Sequence, residues 1–150
     1  MTPAVEAARQ AGISFELHEY DGVELGEGDY ATGVAAALGR PPSQLFKTLV
    51  AKVDGDLAVF VVPADRQLDL RTAGKRTELA GKAEAERATG YVVGGISPLG
   101  QRKRLPATID SSIYDWETVL VSAGRRGLQI ELAPPDLIAL TGARVAEIAR

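Results

Sequence analysis

The feature that most constrains the fold is an Asp54-Gly55 pair set between two apolar runs. Aspartate followed by glycine is typical of a two-residue turn between antiparallel strands, because both residues accept a positive φ. The runs on either side cover residues 45–53 and 57–62, and each has the length of a strand. The sequence therefore predicts a β-hairpin near the middle of the chain, against which the other elements pack.

Helix signals and strand signals occur in mixed order along the rest of the chain. Apolar spacing with Gly or Pro stop signals predicts helices over residues 3–11, 30–38 and from 134 to near Gly142. Residues 66–88 are predicted to be helical and basic, with Gly74 and Gly81 as breaks. Short apolar or alternating runs predict strands at residues 13–20, 91–93, 107–109, 118–121 and 128–132. This order favours an α+β fold over a doubly wound parallel sheet. Because no repeat, low-complexity tract or linker divides the chain, we expect one domain over residues 1–150.

The absence of cysteine and the presence of a single histidine exclude several kinds of site. Disulfides, thiolate nucleophiles and cysteine-based zinc sites all need cysteine, and a multi-histidine metal cage needs more than His18. We therefore expect neither a metal nor a cofactor. His18 falls on the polar side of the predicted strand 13–20, where it is either a general base or a solvent-facing residue. No acidic residue at an interpretable spacing supports a role as base, so we favour the solvent-facing position.

Charge is divided unevenly along the chain, although the formal net charge is only −3. Residues 1–50 contain three basic and seven acidic residues, a balance of −4, and residues 66–126 contain eleven basic and seven acidic residues, a balance of +4. Such a basic stretch attracts a polyanion unless its charges are paired on an ordinary surface. The N-terminal segment is neither an apolar signal nor a basic transit segment, and no apolar run approaches the roughly 18 residues of a membrane span. We expect a cytoplasmic protein with no membrane partner.

A stretch over residues 94–104 combines three glycines, one proline and three adjacent cations. Gly94-Gly95 followed by Ser97-Pro98 can turn several N–H groups towards one anionic or carbonyl oxygen, and the cations can bind phosphate. The alternative is a tight surface turn with solvated basic residues. The stretch has neither the P-loop spacing nor the dinucleotide-binding spacing of glycines.

Lys47 stands out within the predicted strand 45–53. Side chains alternate between the two faces of a strand, which places Lys47 on a face that is otherwise apolar. A lysine on such a face pairs with an acid, extends to solvent or binds a ligand, because burying an isolated ammonium is costly. Tyr20 ends the first strand, where its hydroxyl either reaches a cleft or belongs to a half-buried structural side chain.

Motifs spread over the whole chain resemble one known family. In chain order they are Thr2-Pro-Ala-Val5, Ile13-Ser-Phe15, His18-x-Tyr20, Phe46-Lys-Thr-Leu49, Gln67-Leu-Asp-Leu70, Thr89-Gly-Tyr91, Gly94-Gly-Ile-Ser-Pro-Leu-Gly100, Lys103-Arg-Leu-Pro106 and Gly124-Arg-Arg-Gly-Leu-Gln-Ile-Glu131. Together they closely resemble the YbaK/EbsC family of aminoacyl-tRNA deacylases, the free-standing relatives of the editing domain of prolyl-tRNA synthetase. The resemblance runs from residue 2 to about residue 149.

The resemblance implies a compact α+β domain with a curved mixed sheet and flanking helices. It also implies hydrolysis of the ester between a wrong amino acid and the 3′-terminal adenosine of tRNA, with Cys-tRNA(Pro) as the expected substrate and Cys-tRNA(Cys) as a second one. The residues expected to act in catalysis are Lys47, Gly94, Gly95, Ile96 and Ser97. The residues expected to contact the substrate are Tyr20, Pro98, Gly100 and Gln129. The tRNA acceptor end is expected to contact Arg102, Lys103, Arg104, Arg125 and Arg126.

The chain has no cysteine and no credible Ser-His-Asp set that could form a covalent acyl-enzyme, so the expected mechanism depends on substrate positioning and oxyanion stabilisation. The attacking group is then water or, as the resemblance implies for cysteine, the thiol of the substrate. Some cysteine-type members have an acidic residue where this chain has Gln129, which keeps Ala-tRNA(Pro) open as the substrate. A noncatalytic module that binds tRNA or a synthetase is the other alternative. Prolyl-tRNA synthetase is the expected transient partner.

Overall fold

The hairpin predicted around Asp54-Gly55 is present in the computed structural model, which describes residues 1–24 and 29–150. The helices are α1 (Pro3–Ala11), α2 (Tyr30–Leu38), α3 (Lys82–Thr89) and α4 (Pro134–Thr141). The strands are β1 (Phe15–Glu19), β2 (Phe46–Val53), β3 (Asp56–Pro63), β4 (Thr77–Leu79), β5 (Ala107–Asp110), β6 (Val119–Arg125), β7 (Leu128–Leu132) and β8 (Arg144–Ala146). Two short 3-10 helices cover Leu70–Thr72 and Ser111–Asp115. Within the described residues, no helix has the length and apolar character needed to cross a membrane.

The strands form two sheets that meet where β2 approaches β6. The larger sheet has the order β4-β2-β3-β5-β8, with antiparallel pairs around β2 and parallel pairs on both sides of β5. The smaller sheet has the order β1-β7-β6 and is antiparallel. A bridge between Leu45 and Leu120 joins the two sheets, and the Leu120 N–H donates to the Gln44 carbonyl at 3.2 Å. The predicted α+β fold with a mixed sheet and flanking helices is confirmed.

Most of the core lies between the two sheets and helices α1, α3 and α4. Its fully buried side chains include Phe46, Ile109 and Leu137, and burial of each contributes about 1.5–3 kcal/mol to folding. A smaller cluster packs α2 against Leu45 and Leu120. Helix α2 therefore covers the junction of the two sheets, and this junction is where the candidate site lies.

Helix α1 has the bounds that the sequence predicts, because both of its ends carry local stop signals. The Thr2 Oγ1 atom accepts the Val5 N–H at 3.2 Å, and Gly12 ends the helix with a φ of 70°. The Thr2 hydroxyl also donates to the Ala123 carbonyl of β6, which fixes the start of α1 to the smaller sheet. Helix α2 has its predicted bounds for the same kind of reason, with Asp29 as its N-cap and Gly39 as its C-cap.

The prediction of helical structure over residues 66–88 is confirmed only after the break at Gly81, where α3 begins, and it is wrong before that break. The segment instead contains the 3-10 helix Leu70–Thr72, strand β4 and helix α3. Strand β4 pairs with β2 at the edge of the larger sheet, and these sheet hydrogen bonds outweigh the local helix propensity. Gly74 suits this path, because a Cβ atom there would lie 2.7 Å from Cγ1 of Val53.

Two other expectations for secondary structure need correction. Residues 91–93 do not form a strand. The Tyr91 side chain is buried and its hydroxyl donates to the Leu99 carbonyl at 2.6 Å, and a turn follows at Val93 and Gly94, closed by the Gly95 N–H and the Val92 carbonyl. Strand β8 has no counterpart among the predicted strands, and it extends the larger sheet by parallel pairing with β5. The acidic segment between β1 and α2, residues 20–29, lies partly outside the described residues.

Candidate active site

A cavity of about 310 Å³ lies where α2, β2 and the segment before α3 meet. Its lining comes from residues within 29–34, 45–50, 79–85 and 93–96, together with Ser122 and Gln129. The wall is mostly apolar, and its charged side chains among the described residues are Asp29, Lys47 and Lys82. Of the predicted site residues, the structure brings together at this cavity Lys47, Gly94, Ile96 and Gln129.

Lys47 lies on the wall of this cavity with its side chain 22% exposed. Its ammonium is 3.8 Å from Asp29 Oδ2 and donates to the Ala64 carbonyl at 3.4 Å. Asp29 is itself held in place, because its Oδ1 accepts the Ala31 N–H at 3.1 Å. An ammonium has three N–H donors, and two long contacts leave it able to bind a further acceptor. Lys47 is therefore a positioned cation with capacity for a ligand.

The glycine loop reaches the cavity through Gly94 and Ile96. Gly94 has a φ of 90°, which other residues rarely adopt, and Gly95 packs so tightly on the β6–β7 turn that a Cβ atom would lie 2.7 Å from Arg125 Cα. The Gly95 N–H donates to the Val92 carbonyl at 2.9 Å and is already used. The N–H groups of Gly94 and Ile96 have no acceptor among the described residues. The loop therefore offers two backbone donors near the cavity.

Ser97, Pro98 and Gly100 lie outside this cavity. Ser97 is fully buried, and its Oγ accepts the Leu99 N–H at 3.2 Å, so this side chain holds the shape of the loop. Pro98 and Gly100 line a second cavity of about 230 Å³. Gly100 also lies against α1, where a Cβ atom would be 2.5 Å from the Pro3 carbonyl oxygen. The structure does not bring Pro98 or Gly100 to the cavity that contains Lys47.

Tyr20 is connected to the cavity through a second tyrosine. Its hydroxyl is 3.0 Å from the hydroxyl of Tyr30, and Tyr30 lines the cavity at the start of α2. Burial and the hydrogen bond with Tyr20 raise the pKa of Tyr30 well above its ordinary value. The Tyr30 hydroxyl therefore stays protonated at neutral pH and keeps its donor. Tyr30, which the sequence does not single out, is the tyrosine on the cavity wall.

Two residues that line the cavity, Gln129 and Thr48, each have a side-chain oxygen that is buried without a hydrogen-bond partner among the described residues, Gln129 Oε1 and Thr48 Oγ1. Gln129 is only 4% exposed. Leaving such a group unpaired costs about 1–3 kcal/mol, and folded proteins contain few of them. Both atoms have less than 1 Å² of accessible surface, so neither faces the open space of the cavity. Thr48 is absent from the predicted site, and its signal in the sequence is a hydroxyl between Phe46 and Val50 on one strand face.

The five predicted tRNA-binding residues lie in two places. Arg125 and Arg126 lie in the β6–β7 turn against the glycine loop, and Arg126 Nε donates to the Val93 carbonyl at 2.9 Å. Arg102 and Arg104 instead lie against the C-terminal ends of α3 and α4, where a cation interacts favourably with the helix dipole. Arg125 and Arg126 therefore contact the glycine loop beside the cavity without lining it, whereas Arg102 and Arg104 lie at the helix ends and, like Lys103, do not line the cavity.

The family described as the aminoacyl-tRNA editing domain matches residues 27–140 of the 150 residues in the chain. The chain belongs to this family. The predicted family and reaction class, aminoacyl-tRNA deacylation, are thereby confirmed.

Three proteins similar to this editing domain match it over nearly their whole length. The editing domain is 34% identical over 156 residues to EbsC of Enterococcus faecalis (strain ATCC 700802 / V583), and the match covers 98% of this chain and 92% of EbsC. The name of EbsC describes a candidate Cys-tRNA(Pro)/Cys-tRNA(Cys) deacylase. The crystal structure of a candidate trans-editing enzyme for prolyl-tRNA synthetase is 26% identical, with a TM-score of 0.84 over 100% of this chain and 99% of that one. The crystal structure of the hypothetical protein APE2540 is 27% identical, with a TM-score of 0.86 over 99% of both chains.

A second charged cluster of the editing domain lies on the smaller sheet and does not line the cavity. The Glu131 carboxylate is 2.8 Å from His18 Nε2, and it accepts hydrogen bonds from Arg40 at 2.9 and 3.1 Å and from the Thr118 hydroxyl at 2.6 Å. Burial raises the pKa of Glu131, but these hydrogen bonds outweigh burial and lower the pKa to about 2. Because Arg40 follows α2, the cluster ties the end of this helix to β7.

His18 is therefore not the solvent-facing residue that its strand position suggests. It is half-buried and contacts an acid 113 positions away along the chain, which no local spacing could reveal. Glu16 lies close enough to His18 and Glu131 for the three to hold a metal ion. Both Glu131 oxygens already bind the Arg40 guanidinium, however, and a metal ion would have to compete with that cation.

Proposed function

We propose that this editing domain hydrolyses the aminoacyl ester of Cys-tRNA(Pro) and that it also accepts Cys-tRNA(Cys). The observation that carries the proposal is that Lys47, Gly94 and Gln129 line one cavity. The family supports the reaction class, deacylation of mischarged tRNA. The relative EbsC, whose name refers to this pair of substrates, supports the choice of cysteine.

The proposal places the aminoacyl group and its ribose inside the cavity. A volume of about 310 Å³ lies at the lower end of the range for small-ligand sites, so it suits this part of the substrate better than a longer piece of RNA. The apolar side chains of Val34 and Phe46 line the same space. Thr48 and Gln129 line it as well, and their side chains add a hydroxyl and an amide to a mostly apolar wall.

In the proposed reaction, the ester carbonyl oxygen accepts hydrogen bonds from the N–H groups of Gly94 and Ile96, with the Lys47 ammonium close by. As a nucleophile attacks the carbonyl carbon, negative charge moves onto this oxygen, and donors already in place stabilise it. The ester C–O bond then breaks, and the 3′ oxygen of the terminal ribose leaves with a proton from the attacking group. Removing a preorganised donor of this kind reduces the rate by about 10²–10³-fold.

The proposed nucleophile is water or the thiol of the substrate, because the side chains at the cavity suit positioning better than covalent attack. The Ser122 Oγ atom accepts the Gly124 N–H at 3.2 Å. His18, the single histidine of the chain, contacts Glu131 away from the cavity. No hydroxyl of the cavity wall is thus paired with a histidine base among the described residues. A thiol that attacks its own ester would leave alanyl-tRNA and prolyl-tRNA uncleaved, because neither amino acid has a thiol.

A panel of charged tRNAs tests this proposal. Purified protein is mixed with Cys-tRNA(Pro), Cys-tRNA(Cys), Ala-tRNA(Pro) and Pro-tRNA(Pro), and loss of the amino acid is followed under single-turnover conditions. We expect both cysteinyl-tRNAs to be deacylated and Pro-tRNA(Pro) to be spared. Because Gln129 is neutral, Ala-tRNA(Pro) is the second candidate, and faster loss of alanine than of cysteine would establish it. Binding of tRNA with no deacylation of any member of the panel would show a noncatalytic module.

The same assay tests the proposed partner. A free-standing domain that contacts only the acceptor end cannot distinguish the two cysteinyl-tRNAs by their other parts. We therefore propose that prolyl-tRNA synthetase supplies this discrimination in a transient complex. Adding the synthetase is expected to raise the deacylation rate of Cys-tRNA(Pro) relative to that of Cys-tRNA(Cys), and an unchanged ratio would contradict the proposed partner.

A further inference from the structure

Asp29 is the only negatively charged side chain among the described residues of the cavity wall, and the proposed chemistry does not use it. It is the N-cap of α2, and its side chain is 43% exposed. The other charged side chains on this wall, Lys47 and Lys82, are cations. A carboxylate beside a reacting ester needs an explanation, because it repels the negative charge that develops on the ester oxygen.

The two oxygens of the Asp29 carboxylate have different surroundings. Oδ1 accepts the Ala31 N–H at 3.1 Å, which caps α2 and fixes the orientation of the carboxylate. Within the described part of the chain, the polar contact of Oδ2 is the one with Lys47 Nζ at 3.8 Å, which is too long for a hydrogen bond. A carboxylate has about four lone-pair sites, so Oδ2 can accept a further donor.

An aminoacyl ester carries two groups that match this pair of residues. Its α-ammonium and its carbonyl oxygen are bonded to neighbouring carbon atoms, which places nitrogen and oxygen roughly 3 Å apart when they lie on the same side. The Asp29 carboxylate and the Lys47 ammonium are 3.8 Å apart. With the carbonyl oxygen at Lys47 and the α-ammonium at Asp29, positive and negative groups alternate around the ester.

The energetics of an apolar cavity also favour this arrangement. Moving the α-ammonium of the substrate out of water is costly unless an anion or several acceptors receive it. Lys47 and Lys82 repel it, whereas Asp29 attracts it and donates no hydrogen bond in competition. A bound α-ammonium also lies beside the ester oxygen, where it compensates for the repulsion that Asp29 exerts on the developing negative charge.

We propose that Asp29 binds the α-ammonium of the aminoacyl group and so makes a free amine a requirement of the substrate. The domain then cleaves aminoacyl-tRNA and spares esters whose amine is acylated, a class that includes peptidyl-tRNA. This inference rests on the proposed function, because it takes the aminoacyl ester of tRNA as the ligand.

The first test compares two substrates in two forms of the protein. Cys-tRNA(Pro) carries the α-ammonium, and 3-mercaptopropionyl-tRNA(Pro) is the same thiol ester chain with hydrogen in its place. Asp29→Asn removes the charge and keeps the helix cap, because asparagine caps helices as well as aspartate does. We expect Asp29→Asn to raise KM for Cys-tRNA(Pro) about tenfold, the effect of one hydrogen bond between charged groups, and to keep kcat within about threefold. KM for 3-mercaptopropionyl-tRNA(Pro) is expected to stay within about twofold.

This comparison separates binding of the substrate from a purely structural role. If Asp29 acted only by holding Lys47 or α2, Asp29→Asn would affect both substrates by the same factor, and equal factors would overturn the inference. The two esters differ in intrinsic reactivity, but that difference is the same in both forms of the protein and cancels from the ratio. Asp29→Ser, which also caps a helix without a charge, is expected to give the same selective effect. Asp21→Asn removes an exposed carboxylate that does not line the cavity, and it serves as the control with unchanged KM for both substrates.

A binding measurement tests the same contact without tRNA. The Ala31 amide donates to Asp29 Oδ1, so its chemical shift responds when a cation binds the carboxylate. L-cysteine methyl ester and methyl 3-mercaptopropionate are titrated into the full chain at about pH 5.5, well below the ordinary pKa of an α-amino group. We expect only the first ester to shift the Ala31 amide, and equal shifts with both esters, or none with either, would overturn the inference. If the wild-type protein deacylates no mischarged tRNA but cysteine methyl ester alone still shifts this amide, the proposed function fails and the ammonium site stands.

Discussion

Lys47 and Glu131 are both charged residues on strands near the junction of the two sheets, and their surroundings differ sharply. The Glu131 side chain is 12% exposed and is contacted by His18, Arg40 and Thr118 at 3.1 Å or less. The Lys47 side chain is 22% exposed and has one hydrogen bond of 3.4 Å and one ion pair of 3.8 Å. Both oxygens of the Glu131 carboxylate have close hydrogen-bond partners, whereas the Lys47 ammonium keeps N–H donors that are free to bind another acceptor.

This difference distinguishes a charge that stabilises the fold from a charge that is kept for a ligand. Each hydrogen bond that a buried ion makes within the protein lowers its free energy in the folded state and reduces its ability to bind anything else. We therefore expect substitutions around Glu131 to change stability and substitutions around Lys47 to change activity. The four predictions that follow test this separation, from the largest expected effect to the smallest.

Lys47→Ala is expected to lower single-turnover deacylation of Cys-tRNA(Pro) by about 10²-fold or more, because it removes a preorganised charge from the reacting ester. The free energy of unfolding is expected to change by less than about 1 kcal/mol, since the ion pair with Asp29 is long and partly solvated. Urea denaturation measures the second quantity on the same preparation. Activity equal to that of the wild type would remove Lys47 from the proposed mechanism.

Glu131→Ala is expected to lower the free energy of unfolding by about 2–3 kcal/mol, because it leaves Arg40 and the Thr118 hydroxyl without their acceptor. Deacylation measured at a temperature where the variant is folded is expected to stay within about threefold of the wild type. Chemical denaturation and the tRNA assay give the two values. A loss of activity as large as that of Lys47→Ala, in a variant that is still folded, would contradict the separation of the two clusters.

The same carboxylate makes stability depend on acid. The pKa of Glu131 is about 2 in the folded protein and close to 4.5 when the chain unfolds, so the folded state holds the carboxylate deprotonated more strongly. Its contribution is fully present above about pH 4.5, decreases as the pH falls, and is lost near pH 2. Denaturation curves between pH 7 and pH 3 should show a smaller acid loss for Glu131→Gln than for the wild type. An equal loss of stability in the two proteins as the pH falls would contradict the assignment of this acid dependence to Glu131.

The smallest effects on stability are expected at two threonines, Thr48 and Thr118, which allow the same substitution in both surroundings. Thr48→Val removes a hydroxyl that has no partner among the described residues, so the free energy of unfolding should rise by about 0.5–1 kcal/mol. Thr118→Val removes a hydrogen-bond donor to Glu131 and should lower the free energy of unfolding by about 1 kcal/mol. Thermal and urea denaturation of both variants provide the comparison. The same sign of change in both would mean that the Thr48 hydroxyl is paired in solution.

The sequence predicts those parts of the fold that local signals determine. The hairpin at Asp54-Gly55 and the helix over residues 3–11 carry their turn, cap and stop residues within a few positions of one another, and both are confirmed. The segment 66–81 fails as a helix because its path depends on β2, which offers an open edge for β4 to pair with. Information of this kind lies in another element of the chain and has no local signal.

The site follows the same rule. Lys47 is found from strand alternation alone, because the eight residues of β2 are enough to show a cation on an otherwise apolar strand face. Gln129 is singled out only through the family resemblance. Tyr30, Thr48 and Lys82 depend on how α2, β2 and α3 are packed around one cavity, and no spacing between them in the sequence indicates that they meet.

The contact between Gly95 and the β6–β7 turn has a consequence for protein engineering. A Cβ atom at Gly95 would lie 2.7 Å from Arg125 Cα, so backbone touches backbone with no side chain between them to absorb a change. Lengthening or reshaping either loop alone would push the other away from the cavity. Attempts to alter the amino-acid preference by exchanging loops with a relative should therefore transplant both loops as one unit.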